Sequence, residues 1–189
     1  MYNIILIRYG EIHLKGKNRP YFERMLKKTL SDAVGFDQSA RVWFNDGRYY
    51  VEDFADTNLD AIIHKTSTVF GVHSICPALK CQKEIVDIAA AVFRLIELKN
   101  LTSGTFKIEA RRSDKRFYLN SMQLAAELGG RVLSRYPELK VDVVQPDHVI
   151  YVEVRTSNAY VYYDIIKGPG GMPLGTSGSA MLLLSGGID

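Results

Sequence analysis

The sequence predicts a mixed α/β (α+β) protein in two consecutive parts, and three features predict it. Short apolar runs of strand character alternate with stripes at helical spacing over residues 1–80, and the alternation begins again around Lys83 and runs to residue 166. From Lys167 the composition turns to Gly, Pro and Ser, which marks a connector over 167–180. A length of 189 residues suits one ordinary domain or two small ones, and 47% hydrophobic residues suit a packed core rather than disorder.

In the first part, Tyr2 to Arg8 is apolar and rich in β-branched residues, hence a buried strand. A polar stretch, GEIHLKGKNRP, leads to Pro20 near a helix start, where its missing N–H costs little. Phe22, Met25, Leu26, Leu30 and Ala33 then form one helical stripe, with Gly35 as its stop. RVWF and RYYVE follow, joined by Asn45-Asp46-Gly47, a hairpin signal because tight hairpin turns need positive φ. Asp56 or Thr57 is the expected cap of a second helix carrying Leu59, Ile62 and Ile63, and VFGVHSICPAL is extended. The order β-α-β-β-α-β is a ferredoxin-like pattern.

In the second part, Ile85, Ile88, Ala89, Val92 and Ile96 make a helical stripe. TFKIEARR alternates as a half-buried strand, with Phe106, Ile108 and Ala110 inward and Lys107, Glu109 and Arg111 outward. Asn120 and Gln123 are spaced as a capping box for a helix through Leu124, Leu128 and Val132. VIYVEVR and AYVYYDII are the last two strands of this part, and MLLL before SGGID opens a further one over 181–189. Each part reads as its own layer of helices on a sheet.

No apolar run approaches the roughly 20 residues of a bilayer span, and the N-terminal strand lacks the basic flank and cleavage site of a signal peptide. A cytoplasmic location with no membrane partner is expected. The two cysteines, Cys76 and Cys81, have neither disulfide-framework nor zinc spacing and read as free thiols. The four histidines are scattered and point to no metal site. The formal net charge of +3 hides segregation: residues 8–28 are strongly basic, 32–60 acidic, and 107–116 basic again. Such local positive fields suit a polyanion.

Three stretches carry candidate chemistry. Ser185, Gly186, Gly187 and Asp189 follow an apolar strand as a phosphate-wrapping loop does, without the Lys-Ser or Lys-Thr of a Walker loop; an ordinary turn is the other reading. Lys107, Arg111, Arg112, Lys115 and Arg116 run along a strand into a loop, with Phe117 and Tyr118 beside them to stack on bases. The competing reading is a solvated face with Glu109 and Asp114 as internal partners. Lys15, Lys17 and Arg19 lie in a glycine-bearing loop before a helix, placed either for an anion or for solubility. Among the carboxylates no catalytic pair stands out.

Taken together, RYGEIHLKGKNR, EARRSDKRF with LNS and ELGG, and GTSG with MLLLSGGID resemble the bacterial tRNA 4-thiouridine synthase (ThiI) family across essentially the whole chain. The resemblance implies a ferredoxin-like domain, then a THUMP domain, then the first strand and loop of a PP-loop ATP-binding domain. It implies a parent enzyme that uses ATP and Mg2+ to adenylate uridine 8 of tRNA, with persulfide sulfur relayed from a cysteine desulfurase. A link to thiamine thiazole synthesis and a tendency to homodimerise come with the family. Ser185, Gly186, Gly187 and Asp189 match the start of the PP-loop that holds the nucleotide phosphates. Lys107, Arg111, Arg112, Lys115 and Arg116 match the basic part of the THUMP domain, which grips the tRNA acceptor end; Lys15, Lys17 and Arg19 are added to the RNA contact on charge. No catalytic residue is expected in this stretch, which alone should not thiolate, and Asp189 reads as a fragment boundary. THUMP domains also serve RNA methyltransferases, deaminases and pseudouridine synthases, so a module of such an enzyme is the alternative, against which SGGID argues. A small-molecule adenylating enzyme and a module docking an acidic protein are the remaining rivals.

Overall fold

A computed structural model of the chain describes residues 1–179 and 181. Its first part runs β1 (Ile4–Tyr9), α1 (Arg19–Val34), β2 (Arg41–Asn45), β3 (Arg48–Glu52), α2 (Leu59–Ser67) and β4 (Val72–Cys81), the ferredoxin-like order. The second runs α3 (Ile85–Leu98), β5 (Gly104–Arg112), α4 (Ser121–Arg135), β6 (Leu139–Val141), β7 (His148–Val154) and β8 (Ala159–Tyr162), and β9 (Ile166–Lys167) follows.

Local chemistry explains most boundaries. Pro20 sits in the first turn of α1, and Leu26, Leu30 and Val34 bury one face at i, i+4, i+8 spacing. Asp46 and Gly47 take φ of 49° and 71°, the two positive values that a tight turn between twisted strands requires. The capping box on α4 forms in full: Asn120 Oδ1 accepts from Gln123 N, and Gln123 Oε1 accepts from Asn120 N, both at 2.9 Å. Gly35 ends α1 as expected, in right-handed geometry and with its N–H bonded to Asp32 O, but the expected cap of α2 differs. Neither Asp56 nor Thr57 caps α2; a short 3-10 turn, Asp56–Asn58, precedes it, and the Asn58 amide instead donates to Asp37 at 3.0 Å.

The two parts share one sheet, which corrects the expectation of two separate layers. Its order is β2-β3-β1-β4-β8-β7-β5-β6, with β9 added beside β4. The join is the long strand β4, which pairs antiparallel with β1 on one side and with β8 on the other. Two strands were not visible in the sequence, β6, parallel to β5, and β9. The connector is also anchored at its start, since Gly168 and Gly170 donate to His73 O and Val72 O and Met172 packs on the first core.

All four helices lie on one side of this sheet. Ile75 and Leu79 share a face of β4, the former in the core under α1 and α2, the latter in the core under α3 and α4. On the other side no helix packs among the described residues, yet Ile4, Leu6, Cys76 and Ala78 are buried. Aromatic rings roof them: Trp43 stacks on Tyr50 at 4.2 Å, Tyr50 meets Tyr160 at 5.4 Å, and Tyr151 stacks on Tyr162 at 5.1 Å. Tyr50 on β3 and Tyr160 on β8 are three strands apart, about 14 Å in a flat sheet of ~4.8 Å spacing. Their contact therefore reports a sheet curled inward on its helix-free face.

Glu153 fixes that curl. This carboxylate on β7 is almost fully buried and faces Arg8 on β1 at 2.6 Å, Arg48 on β3 at 3.0 Å and Arg155 at 3.4 Å. It also accepts from the Tyr162 hydroxyl at 2.8 Å. Burial pushes its pKa up, but Arg48, Arg8, Tyr162 and Arg155 together outweigh burial and leave it below the ordinary carboxylate value. Arg155 also donates to the Asp46 carbonyl at 2.5 Å, and Thr156 to the Asp46 carboxylate at 2.9 Å, so the β2–β3 hairpin tip rests on the β7–β8 turn.

Two outcomes follow from this packing. A carboxyl depressed in the folded state stabilises fully above its unfolded value of 4.5 and loses that contribution as pH falls through the lower folded value. Glu153→Gln should cost about 3–5 kcal/mol at neutral pH, by leaving buried arginines uncompensated, and should flatten the acid limb of urea-unfolding midpoints measured from pH 7 to 3; unchanged midpoints would show that the seam does not depend on this charge. Asn120→Ala should destabilise by about 1 kcal/mol and raise amide exchange in the first turn of α4 alone.

Candidate nucleic-acid interface

The basic segments from the two parts meet at one end of the curled sheet. In the first, a 3-10 segment over Glu11–Asn18 carries Lys15 and Lys17 outward, with Lys15 Nζ 5.2 Å from the Phe22 ring centre. Arg19 pairs with Glu23 at 2.7 Å and donates to the Tyr9 hydroxyl at 2.7 Å. Burial, then the Glu23 carboxylate, push the Tyr9 hydroxyl up to about 12, so it stays protonated. His13 stacks on Tyr9 at 4.2 Å; partial burial, then Arg19, lower its pKa.

In the second part, β5 presents Lys107 half-buried and Arg111 exposed, the latter paired with Glu109 at 2.6 Å and in register with Glu153. Arg112 turns back and donates to the carbonyls of Lys115 and Phe117, which shapes the loop after β5. Asp114 is the loop's anchor: it binds Arg116 at 3.1 Å and Lys83 at 2.8 Å. Lys115 and Arg116 are exposed. Of the two aromatics expected to stack on bases, Phe117 is buried in the core at 8% exposure and is not available, whereas Tyr118 stands 64% exposed.

These contacts form a continuous track. Lys83, held by Asp114, also donates to Thr156 O at 2.7 Å; Thr156 and Arg155 hold Asp46; and Arg8, Tyr9, His13, Arg19, Arg48 and Arg155 line a cavity of about 370 Å3 beside the hairpin tip. Both readings of the basic loop are thus partly present. Glu109 and Asp114 do pair with Arg111 and Arg116; the exposed Arg111–Glu109 pair contributes only about 0–1 kcal/mol and is readily exchanged for a phosphate, whereas Asp114 is buried and also held by Lys83. Sequence reasoning did not single out Arg48, Arg155, Glu153 or His73. A glutamate in the otherwise uncharged run VIYVEV, with Arg155 next after it, was the available signal, since a charge inside such a strand must find a partner.

Next to the loop, α4 and strands β5 and β6 enclose an apolar groove of about 650 Å3, lined by Met122, Ala126, Gly129, Leu133 and Val143. Met122 is 83% exposed on its rim. Ser185, Gly186, Gly187 and Asp189 lie outside the described residues. Burial raises the thiols of Cys76 and Cys81 to about 11 and about 12, so neither is a ready nucleophile near neutral pH. Among the described residues no His, Cys, Asp and Glu cluster is arranged to hold a metal, and no helix is long and apolar enough to cross a membrane.

Residues 4–76 match the profile of the ThiI ferredoxin-like domain and residues 82–164 that of the THUMP domain. A probable tRNA sulfurtransferase of Lachnospira eligens is 44% identical over all of this chain and 49% of its own length. A solved 4-thiouridine synthetase, in complex with RNA and bound ATP, is 31% identical with a TM-score of 0.82, covering 100% of this chain and 48% of that one. A solved Pyrococcus horikoshii protein is 29% identical with a TM-score of 0.80, over 92% and 58%. The chain thus spans about half the length of the curated relatives it matches. With both domain profiles in this order and the sheet that joins them, the chain belongs to the ThiI family, of which it carries the ferredoxin-like and THUMP domains.

Proposed function

We propose that the chain is the tRNA-binding part of an ATP-dependent tRNA sulfurtransferase that makes 4-thiouridine at uridine 8. The observation that carries this reading is the chain of contacts that links the basic segments of both domains, from Lys115 and Arg116 through Asp114, Lys83, Thr156 and Asp46 to the cavity lined by Arg8, Arg19 and Arg48, with an apolar groove beside α4. Phosphates of a double-stranded acceptor stem would lie along the track, because A-form helices are gripped by shape and backbone rather than by base edges. The unpaired 3′ end would enter the groove, with its bases against Met122 and Leu133.

Held this way, the acceptor end becomes a reference point from which a catalytic domain beyond this chain meets uridine 8. ATP and Mg2+ belong to that domain, whose first phosphate-binding residues are Ser185, Gly186, Gly187 and Asp189. A cysteine desulfurase supplies the persulfide to the parent, which also serves thiamine thiazole synthesis. The chain itself contributes binding and orientation, not a reacting group, and works in the cytoplasm as part of a dimer. The sulfurtransferase names of its relatives favour this reading over a methyltransferase, deaminase or pseudouridine synthase module.

Fluorescence anisotropy against whole tRNA and tRNA lacking its single-stranded 3′ end, at two salt concentrations, tests it. Removing the 3′ end should weaken binding at least about 10-fold, and Met122→Glu should remove most of that difference. Lys115→Glu should weaken binding and lower the salt slope by about one. Equal affinity for both RNAs, with a slope near zero, would overturn the reading.

A further inference from the structure

We propose that the cavity between the two domains, lined by Arg8, Arg19, Arg48 and Arg155 with His13 and His73 at its edge, is a phosphate-binding site that seats one backbone phosphate of the bound RNA. The proposal rests on the RNA-binding reading and gives it a specific anchor. Three of these arginines share one buried carboxylate, Glu153, so the cluster keeps an excess of positive charge. Among the described residues that line the cavity Asp46 is the one acid, and its carboxylate already accepts from Thr156. Within the same side chains, Arg8 Nε, Arg48 Nη1 and Arg155 Nε are buried and have no hydrogen-bond partner among the described residues. Buried guanidinium donors are normally paired, and each orphan costs free energy.

A tetrahedral oxyanion suits this arrangement, because its negative charge offsets the excess on the four arginines that line the cavity and it offers several acceptor directions at once. About 370 Å3 is ample for a phosphate group with water around it. Apart from the Tyr9 ring the wall is polar or charged, so an acidic protein segment would find little to bury its apolar side chains against. The cavity also lies on the track, between Lys17 and Arg19 on one side and Thr156 and Lys83 on the other, where a backbone phosphate of RNA would pass. An RNA seated there must touch both domains.

The test uses inorganic phosphate and a tRNA acceptor-stem hairpin as probes, with two variants outside the buried cluster. Asp46→Asn removes a negative charge while keeping an acceptor for Thr156, and asparagine tolerates the positive φ of this turn. His13→Glu adds a negative charge at an exposed rim position. Phosphate should shift the imidazole NMR signals of His13 and His73. Asp46→Asn should tighten binding of both probes about 3-fold, and His13→Glu should weaken both about 10-fold. Salt-dependent hairpin binding that neither variant alters, with no histidine shift, would overturn the phosphate site and leave the RNA-binding reading standing. Histidine shifts with phosphate but hairpin affinity blind to both variants would overturn the RNA source and assign the site to a free phosphate compound. Absence of any salt-dependent hairpin binding by the wild-type chain would sink the underlying reading itself, and polyglutamate displacing phosphate under those conditions would assign the face to an acidic protein.

Discussion

A carboxylate removed from water must be matched by donors or it unfolds its surroundings, and Glu153 is matched from three directions. Arg8 comes from the first strand of one domain, Arg48 from the hairpin of the same domain, and Arg155 from the turn that follows β7 in the other. Meeting at one point requires the shared sheet to curl, because these strands are far apart in a flat ladder. The curl brings the Asp46 tip onto Thr156 and lets the Tyr50, Tyr160 and Tyr162 rings close over Ile4 and Leu6 without a covering helix. Pairing inside and aromatic packing beside it are thus parts of one arrangement. The two domains are held in a fixed relation rather than joined by a tether.

That fixed relation gives the surface its use. The scaffold under the basic residues is held by buried pairs, Glu153 with its arginines and Asp114 with Lys83, whereas Arg111 with Glu109 is exposed and weak and Arg116 reaches out from its buried partner. Such pairs hold long side chains in place at little cost and release them to a stronger anion. Arg112 is different in kind: its donors bind loop carbonyls, so it shapes the path that Lys115 and Arg116 follow. A polar track for backbone charge beside an apolar groove for bases divides recognition between shape and stacking.

Much of this was legible in the sequence wherever one element's own residues decide the outcome. The 3.6-residue stripe of α1, the strict alternation of β5, the Asp46-Gly47 turn and the Asn120–Gln123 box are all short-range devices, and each forms as read. Where a neighbour distant in sequence decided, the reading went astray. Neither Asp56 nor Thr57 caps α2; the 3-10 turn Asp56–Asn58 comes first, tied to the distant Asp37 through Ala55 N and the Asn58 side-chain amide. Phe117 reads as a stacking platform beside a basic run, but the core beneath α4 takes it. β6 is three residues long and carries no pattern of its own; it exists because β5 offers an edge.

For the candidate site the division is similar. Which residues are basic, and that they segregate into Lys15–Arg19 and Lys107–Arg116, follows from the sequence alone, as do the order of the longer elements and the family's motifs. That β4 pairs on both edges, making one sheet of two domains, was settled only by the tertiary structure. So was the meeting of Arg8, Arg48 and Arg155, residues separated by up to about 150 positions, around one glutamate. Periodicity reports what a residue does within its own element, while charge pairing across a curled sheet depends on strand order and twist, which no local pattern encodes.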